Sequence, residues 1–318
     1  MLQTKKLVKY FMTTSGSLHA VDGIDISLRQ GMTLGVVGES GCGKSTLGRV
    51  ILRLIEPTSG QVLFDGKDVT SFTKQQLLEF RQEAGIIFQD PYASLNSRLT
   101  ASEIIEDPLI VNHTYKTKSE RQDAVFKMME VVGLAPRLIN TYPHELDGGR
   151  RQRIGIARAL VLNPKFIVCD EPVSALDVSI QAQILNLLMD LQDTIGLTYI
   201  FITHDLSVVK HISDEIMVMY LGVCVEKAPT KELFRNPMHP YTKALLAAVP
   251  IPKLTNRAQN RQILKGEVSS PVNLPPGCRF APRCPMASEK CHYDENLQFD
   301  NYGDDHFVMC AMLDNAIN

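Results

Sequence analysis

The chain has 318 residues, of which 44% are hydrophobic, and its formal net charge is −2. This length can bury a large core in one substantial domain with a smaller appendage. The near-zero charge argues against binding to nucleic acid or to an acidic membrane surface through a strong electrostatic field. No apolar run reaches the ~18 residues that a membrane span needs, and the N-terminus lacks the apolar segment of a signal peptide. We therefore expect a cytoplasmic protein that reaches a membrane only through a partner.

Strand and helix patterns alternate over the first ~245 residues, which predicts an α/β domain with a mainly parallel sheet. The predicted strands are Thr33–Val37, Gln61–Phe64, Ala84–Phe88, Lys165–Cys169, Thr198–Thr203 and Glu215–Tyr220. Asp65-Gly66 predicts a hairpin turn, and the apolar stripe from Ile180 to Leu191 predicts a helix packed on the sheet. Between Asp90 and Leu162 the patterns are helical, at 119–132 and 149–162. We expect an inserted helical subdomain at about 90–162 and a small, loop-rich C-terminal module at 250–318.

Residues 38–46 form a complete phosphate-binding loop between a predicted strand and a predicted helix. Its glycines allow the backbone N–H groups to point inward at a phosphate chain. Lys44 adds a positive charge near the β- and γ-phosphates, and the Ser45 hydroxyl can hold Mg²⁺. The candidate ATP ligands of this loop are Gly38, Ser40, Gly41, Cys42, Gly43, Lys44, Ser45 and Thr46. A tight glycine turn without a ligand is the other interpretation, but it gives Lys44 and Ser45 no purpose.

A second nucleotide motif is the apolar run from Phe166 to Cys169 followed by Asp170 and Glu171. A buried strand delivers these carboxylates to its C-terminal end, where open α/β sheets bind ligands. Asp170 can coordinate Mg²⁺ through water, and Glu171 can orient or deprotonate an attacking water. Without the phosphate loop, Glu171 would equally fit a solvated carboxylate at a strand end.

With these motifs the chain resembles the ATP-binding subunits of ABC transporters, whose further elements it carries in the family's order. They are Gln89 for the Q-loop, Leu146-Asp147-Gly148-Gly149-Arg150 for the signature, Ser174–Asp177 for the D-loop, His204 for the switch histidine and Phe11 for the aromatic that stacks on adenine, with Tyr10 as its rival. The resemblance implies a P-loop, ABC-type nucleotide-binding domain over 1–249. It also implies that Gln89 contacts Mg²⁺ and senses the transmembrane partner, and that His204 contacts the γ-phosphate.

Three further segments are similar to the ATPases of oligopeptide and dipeptide importers: Phe88–Asn96, Asn236–Thr242 and Gly277–Pro285. Residues 40–49 resemble the F-type member of the ATPase pair. The resemblance implies a heterodimer with a D-type ATPase, below two transmembrane permease subunits and an external solute-binding protein. It places the chain at the cytoplasmic face of the membrane and implies no nucleic-acid partner.

The signature departs from the family pattern Leu-Ser-Gly-Gly-Gln at Asp147 and Arg150. An Asp carboxylate ~4 Å from a γ-phosphate charge would cost about 4 kcal/mol at an effective dielectric constant of ~20. Arg150 can offset part of this cost, and Asp147 can instead simply cap the following helix. In the family the signature completes the site of the opposite subunit. We therefore expect that this chain's own site is competent if the partner brings an intact signature, and that the partner's site, completed by Asp147, is weak or mainly structural.

Four of the seven cysteines lie in the last 41 residues: Cys278, Cys284, Cys291 and Cys310. Four thiolates could hold a [4Fe–4S] cluster, which the resemblance implies for related ATPases. Tetrahedral Zn²⁺ is the alternative, although the spacing does not fit most zinc knuckles. Four unrelated thiols are the third interpretation.

We expect an ABC-type ATPase, with ATP and Mg²⁺ as its ligands, that powers the import of dipeptides or oligopeptides. A nucleotide-gated regulatory subunit without catalysis and a soluble ABC-type ATPase unconnected with transport are the alternatives. The transported solute is not specified by this chain.

Overall fold

The computed structural model of the chain describes residues 1–248, 270–294 and 297–313. The strands of these residues are β1 Leu2–Thr13, β2 Gly16–Leu28, β3 Thr33–Val37, β4 Ser59–Phe64, β5 Lys67–Asp68, β6 Ala84–Ile87, β7 Phe166–Asp170, β8 Thr198–Ile202, β9 Glu215–Tyr220, β10 Val223–Pro229, β11 Asp300–Asn301 and β12 Phe307–Val308. The α-helices are α1 Lys44–Ile51, α2 Lys74–Glu83, α3 Pro91–Ser94, α4 Ala101–Val111, α5 Lys118–Val131, α6 Gly148–Leu160, α7 Val178–Ile195, α8 Leu206–Ile212, α9 Thr230–Arg235, α10 Pro240–Ala248 and α11 Glu289–Tyr293. Short 3-10 helices cover Val69–Ser71, Pro136–Leu138, Pro143–Glu145 and Ala281–Arg283.

The chain divides into two compact units. The first unit comprises Met1, Leu28–Met32 and Phe64–Ile202. The second unit comprises Leu2–Ser27, Thr33–Leu63 and Thr203–Asn318. The expected boundary between residues 249 and 250 lies outside the described residues.

In the first unit, three strands lie side by side in the order β8, β7, β6, and both pairings are parallel. Every residue of β7 and β8 is buried, as expected for parallel strands covered on both faces. Between β6 and β7 the elements are all helical, as the sequence predicts. The sequence does not predict helix α4, because the helix contains Pro108. Thr100 and Glu103 form a capping box at its N-terminus.

In the second unit, β3 pairs in parallel with β9, and β9, β10, β12 and β11 follow as antiparallel neighbours. Strands β2, β1 and β4 form a separate sheet in that order. The residues of β3 are all buried, and so are all residues of β9 except Glu215. Leu47, Val50 and Ile51 of α1 are also buried, which anchors the start of this helix in the core of the unit.

Within the part of the chain that the structure describes, no helix combines the length and the apolar character needed to cross a bilayer.

Candidate nucleotide site

The phosphate loop joins β3 to α1, and its glycines adopt backbone angles that other residues rarely take. Gly38 and Gly43 have φ values of 154° and 104°. A Cβ atom on Gly43 would lie 1.9 Å from the carbonyl oxygen of Ala20, and one on Gly38 would lie 2.2 Å from that of Met219. The loop therefore depends on positive φ angles and on close packing against neighbouring backbone, both of which require glycine.

Lys44 begins α1 and is only 4% exposed. Its ammonium group donates hydrogen bonds to the carbonyl oxygens of Gly38, at 2.8 Å, and of Glu39, at 3.0 Å. A buried ammonium held by two neutral carbonyls can exchange them for phosphate oxygens, which form stronger charge-assisted bonds. Ser45 and Thr46 follow in the first turn of α1 and are half-buried. The loop thus combines a buried cation with a helix N-terminus, a combination that suits an anion.

Gln89 and Glu171 lie together beyond the ends of two neighbouring parallel strands. Ile87 of β6 lies opposite Cys169 of β7, so the residues two positions farther on emerge at the same edge of the sheet. The side-chain amide of Gln89 donates a hydrogen bond to Glu171 Oε2 at 3.0 Å. Glu171 has a φ of 48°, and its N–H donates to the carbonyl of Ile202 at 2.9 Å. A left-handed glutamate held by both neighbouring strands is the kind of strained residue that concentrates at functional sites.

Asp170 ends β7, and it is 1% exposed. A carboxylate buried to this extent needs cations or hydrogen-bond donors around it. The predicted Mg²⁺ ligands Ser45, Gln89 and Asp170 all offer oxygen atoms, the ligand type that Mg²⁺ prefers. By its chemistry, each of these side chains could bind a magnesium ion.

His204 follows β8 and is exposed. The preceding residue, Thr203, donates its N–H to the carbonyl of Val36 in β3 at 3.1 Å, and its hydroxyl accepts a hydrogen bond from the N–H of Asp205 at 3.1 Å. Val36 stands two residues before Gly38, so the backbone next to His204 lies beside the end of the strand that leads into the phosphate loop. The phosphate loop and His204 belong to the second unit, whereas Gln89, Asp170 and Glu171 belong to the first.

Asp147 is the N-cap residue of α6. Its Oδ1 accepts a hydrogen bond from the N–H of Arg150 at 2.8 Å, and its Oδ2 lies 3.5 Å from the Arg150 guanidinium group. Leu146 is buried, whereas the side chains of Asp147 and Arg150 are 59% and 48% exposed. Both compensations considered from the sequence, a helix cap and a neighbouring positive charge, are therefore present in the structure.

The two signature glycines allow α6 to begin close to the D-loop. A Cβ atom on Gly148 would lie 3.1 Å from the side chain of Leu176, and one on Gly149 would lie 2.7 Å from that of Ile180. Asp177 is the exposed N-cap residue of α7. The signature and the D-loop are thus packed together within the first unit.

Phe11 and the alternative residue Tyr10 differ in the contacts that their side chains make within the protein. Tyr10 donates a hydrogen bond from its hydroxyl to Asp22 at 2.6 Å, and its ring stacks on His19 with 4.0 Å between centroids. Burial, together with the bond to Asp22, raises the pKa of Tyr10 to about 12. Phe11 is partly exposed in β1, and the Lys9 ammonium lies 4.9 Å from its ring centroid. These contacts favour Phe11 over Tyr10 as the residue that stacks on adenine.

Sequence reasoning missed a set of contacts between the C-terminal region and the phosphate loop. Arg283 donates two hydrogen bonds to the Glu39 carboxylate, at 2.7 and 3.0 Å. The N–H of Glu39 donates to the Tyr241 hydroxyl at 2.8 Å. Arg283 and Glu39 are 244 residues apart, so no local pattern could have revealed their pairing.

The predicted metal site at the four C-terminal cysteines is wrong. Within the three described stretches of the chain, no group of three or more His, Cys, Asp or Glu residues could hold a metal ion. Burial raises the pKa of Cys278 to about 11 and also raises the pKa values of Cys284 and Cys310. Burial therefore favours the protonated thiol over the thiolate at these three positions. The N–H of Cys278 donates a hydrogen bond to the carbonyl of Cys291 at 2.7 Å, which joins the chain at Cys278 to α11. Neither the [4Fe–4S] cluster nor the Zn²⁺ alternative is supported.

Two regions of the chain match known families. Residues 21–174 match the family described as ABC transporter. Residues 225–291 match the family described as Oligopeptide/dipeptide transporter, C-terminal region. The second match begins in β10 and ends in α11, so it covers the segment that contacts the phosphate loop.

Similar curated proteins extend over nearly the whole chain. The oligopeptide transport ATP-binding protein OppF of Salmonella typhimurium is 52% identical over 307 residues, which cover 96% of this chain and 91% of that protein. AppF of Bacillus subtilis, also an oligopeptide transport ATP-binding protein, is 49% identical, with 98% and 97% covered. The dipeptide transport ATP-binding protein DppF of Haemophilus influenzae is 49% identical, with 97% and 95% covered.

Solved structures of ATP-binding cassettes share the fold. A dimeric post-hydrolysis state of the cassette MJ0796 bound to ADP and Pi has a TM-score of 0.67 and 30% sequence identity. The match covers 72% of this chain and 99% of that chain. The structure of cbiO1 from Clostridium perfringens, part of the transporter complex cbiONQ, has a TM-score of 0.66 and 29% identity, and the match covers 74% of this chain and 90% of that chain.

Proposed function

This chain belongs to the family of ATP-binding subunits of oligopeptide and dipeptide ABC transporters, and we propose that it binds and hydrolyses ATP to drive the import of peptides. The observation that carries the proposal is the hydrogen bond between Gln89 and Glu171 beyond the ends of β6 and β7. It joins the residue expected to sense the membrane partner to the residue expected to activate water. A regulatory subunit without catalysis would not need this strained glutamate.

Each residue has a chemical role in the proposed reaction. Lys44 and the N–H groups of the phosphate loop bind and orient the phosphate chain. Ser45, Gln89 and Asp170 would hold Mg²⁺, which supplies charge neutralisation for the β- and γ-phosphates. Glu171 orients the attacking water and accepts its proton.

Two more groups complete the role assignment. His204 donates to the γ-phosphate oxygens as charge develops on them. Phe11 stacks on adenine. ATP binding would close the dimer of ATPases and hydrolysis would reopen it. Gln89, together with the helical stretch at about 90–162, would pass this motion to the membrane partner.

We further propose that the chain is the F-type member of a heterodimer with a D-type ATPase. The names OppF, AppF and DppF of its relatives support this assignment. In this arrangement Leu146–Arg150 completes the partner's site, which is weakened by Asp147. The Arg150 guanidinium, 3.5 Å from Asp147, offsets part of the repulsion, so the expected penalty is below the ~4 kcal/mol of an unpaired charge.

The paired substitution Asp147→Ser with Arg150→Gln tests the weak-site proposal in the assembled transporter. We expect a higher ATP turnover per complex, because the partner's γ-phosphate would then meet a neutral hydroxyl. Unchanged turnover at equal expression would contradict this part of the proposal.

The remaining partners follow from the family. Two transmembrane permease subunits would hold the chain at the cytoplasmic face of the membrane, and an external solute-binding protein would deliver the peptide. Residues 250–318 would be the C-terminal extension of the peptide-transporter ATPases, which the match over 225–291 supports.

Uptake of a labelled oligopeptide into vesicles that contain the assembled transporter tests the proposed function. We expect ATP-dependent uptake with the wild-type chain and none with Glu171→Gln. Uptake that persists with Glu171→Gln would refute the proposal, and assembly of both complexes is checked by copurification with the permease subunits.

A further inference from the structure

The C-terminal arm, defined as residues 277–284, is anchored beside the phosphate loop by an aromatic cluster. Phe280 is fully buried, and its ring centroid lies 5.3 Å from those of both Tyr220 and Tyr241. This packing fixes the arm, so that the arginines on either side of Phe280 face the loop and its neighbours from a defined position.

Glu39, the second residue of the phosphate loop, is held from three directions. Its carboxylate accepts two hydrogen bonds from Arg283, whose side chain is only 6% exposed. Its N–H donates to the Tyr241 hydroxyl at 2.8 Å, and its carbonyl accepts from Lys44 at 3.0 Å. Fork-shaped pairing of a guanidinium with a carboxylate fixes orientation as well as distance.

Arg279, which precedes Phe280, forms a second set of contacts near the phosphate loop. Its guanidinium donates to the carbonyl of Leu221 and to the Asp22 carboxylate. The next residue, Gly222, donates its N–H to the carbonyl of Cys42 in the loop at 2.9 Å. The arm therefore braces the loop directly at Glu39 and indirectly at Cys42.

The negative charge of the Glu39 carboxylate opposes the binding of ATP. Glu39 directly precedes Ser40 in the proposed phosphate-binding loop, and an unpaired negative charge there would repel the phosphate chain. The two hydrogen bonds from Arg283 neutralise this charge. They also hold the carboxylate in one orientation.

We propose that Arg283 is a positioning residue for ATP binding, which neutralises Glu39 and holds the phosphate loop in its anion-receiving conformation. The proposal rests on the proposed function in one respect, namely that this loop binds ATP. It gives the C-terminal extension a role at the nucleotide site that requires no metal.

The test is the affinity of the assembled transporter for a fluorescent ATP analogue with Mg²⁺, together with the KM and kcat for ATP. Arg283→Gln exposes an unpaired Glu39 charge, and we expect a roughly tenfold loss of affinity and a matching rise in KM, with kcat changed less than about twofold. Glu39→Gln combined with Arg283→Gln removes both charges, and most of the affinity should return. Arg283→Lys keeps the charge but loses the fork, so its affinity should be intermediate.

Arg235→Gln is the matched control, because the Arg235 side chain is 84% exposed and lies 3.8 Å from Glu232. It should bind the analogue like wild type. Wild-type affinity in Arg283→Gln would overturn the proposal. Equal weakness in the single and double variants, with equally lowered unfolding temperatures, would also overturn it and leave the arm a purely structural support. If the wild type binds the analogue but does not hydrolyse ATP, the proposed catalytic function is refuted, and the affinities of the variants still test the role of Arg283. If the wild type does not bind the analogue, the proposed function and the role of Arg283 are both refuted.

Discussion

Substitution of single glycines in the phosphate loop separates backbone strain from steric overlap. Gly41 and Gly43 both have positive φ, 79° and 104°. An added Cβ on Gly41 would meet no atom within 4 Å, whereas one on Gly43 would lie 1.9 Å from the Ala20 carbonyl oxygen. Gly41→Ala therefore tests conformation alone, and Gly43→Ala tests conformation plus overlap.

The expected magnitudes follow from these two geometries. An alanine in the left-handed region costs about 1 kcal/mol. We expect the ligand-free loop of Gly41→Ala to relax away from this conformation, so that ATP binding must restore it at a roughly fivefold loss of affinity. At Gly43 the φ angle is less accessible to alanine. In addition, real Cβ atoms essentially never lie closer than 3.0 Å to another heavy atom, so the Cβ of Gly43→Ala would have to move about 1 Å farther from the Ala20 carbonyl oxygen. We expect a penalty of ~3 kcal/mol or more for Gly43→Ala, which is a loss of affinity above about a hundredfold.

Titration of the assembled transporter with a fluorescent ATP analogue and Mg²⁺ measures both losses. Thermal unfolding of each variant without nucleotide provides the control for folding. The reasoning is refuted if both variants remain folded and Gly43→Ala loses no more affinity than Gly41→Ala.

Substitutions at three other residues test the surroundings of the nucleotide site. Burial lowers the pKa of His239 to about 4. The contribution of His239 to the free energy of unfolding should therefore be highest above pH ~6.5 and fall by up to ~3 kcal/mol as the pH drops to 4. His239→Asn keeps an acceptor for the N–H of Tyr241, at 3.1 Å in wild type, and should remove that part of the slope; an unchanged slope in denaturant titrations would contradict the assignment. Asp147→Ala should destabilise the chain by about 1 kcal/mol through the lost cap of α6, whereas Asp147→Ser should not, and equal unfolding midpoints would count against the capping role. Phe11→Ala should weaken binding of ATP about fivefold and leave binding of tripolyphosphate unchanged; equal losses for both ligands would exclude adenine stacking.

The parts of the fold that could be predicted are those that a short stretch of sequence determines alone. The buried apolar run Glu215–Tyr220 is β9 with the predicted bounds, and residues 149–162 correspond to α6 within two residues. Strands β1 and β2 were not predicted. In β1, the buried position Thr4 is polar, and the adjacent exposed lysines Lys5 and Lys6 interrupt the alternation of buried and exposed residues that predicts a strand.

Within the candidate site, the sequence predicts contacts between residues that are close together along the chain but not contacts between distant residues. The phosphate loop and the capping of α6 by Asp147 are local, and their residue types and spacing are informative. The pairing of Arg283 with Glu39 spans 244 residues and required the folded chain. The crowding of cysteines near the C-terminus was misleading, because proximity along the chain does not show whether the side chains form a metal-binding group, and the described residues contain no such group.

Phosphate release by the assembled transporter, measured alongside ATP binding, tests the central claim most directly. The comparison is between wild type and Glu171→Gln, since this substitution keeps the size of the side chain and its contact with Gln89 but removes the base. We predict that phosphate release falls by at least about a hundredfold while the affinity for ATP stays within about twofold of wild type. Undiminished phosphate release in Glu171→Gln would contradict the claim that this chain's own glutamate activates the attacking water.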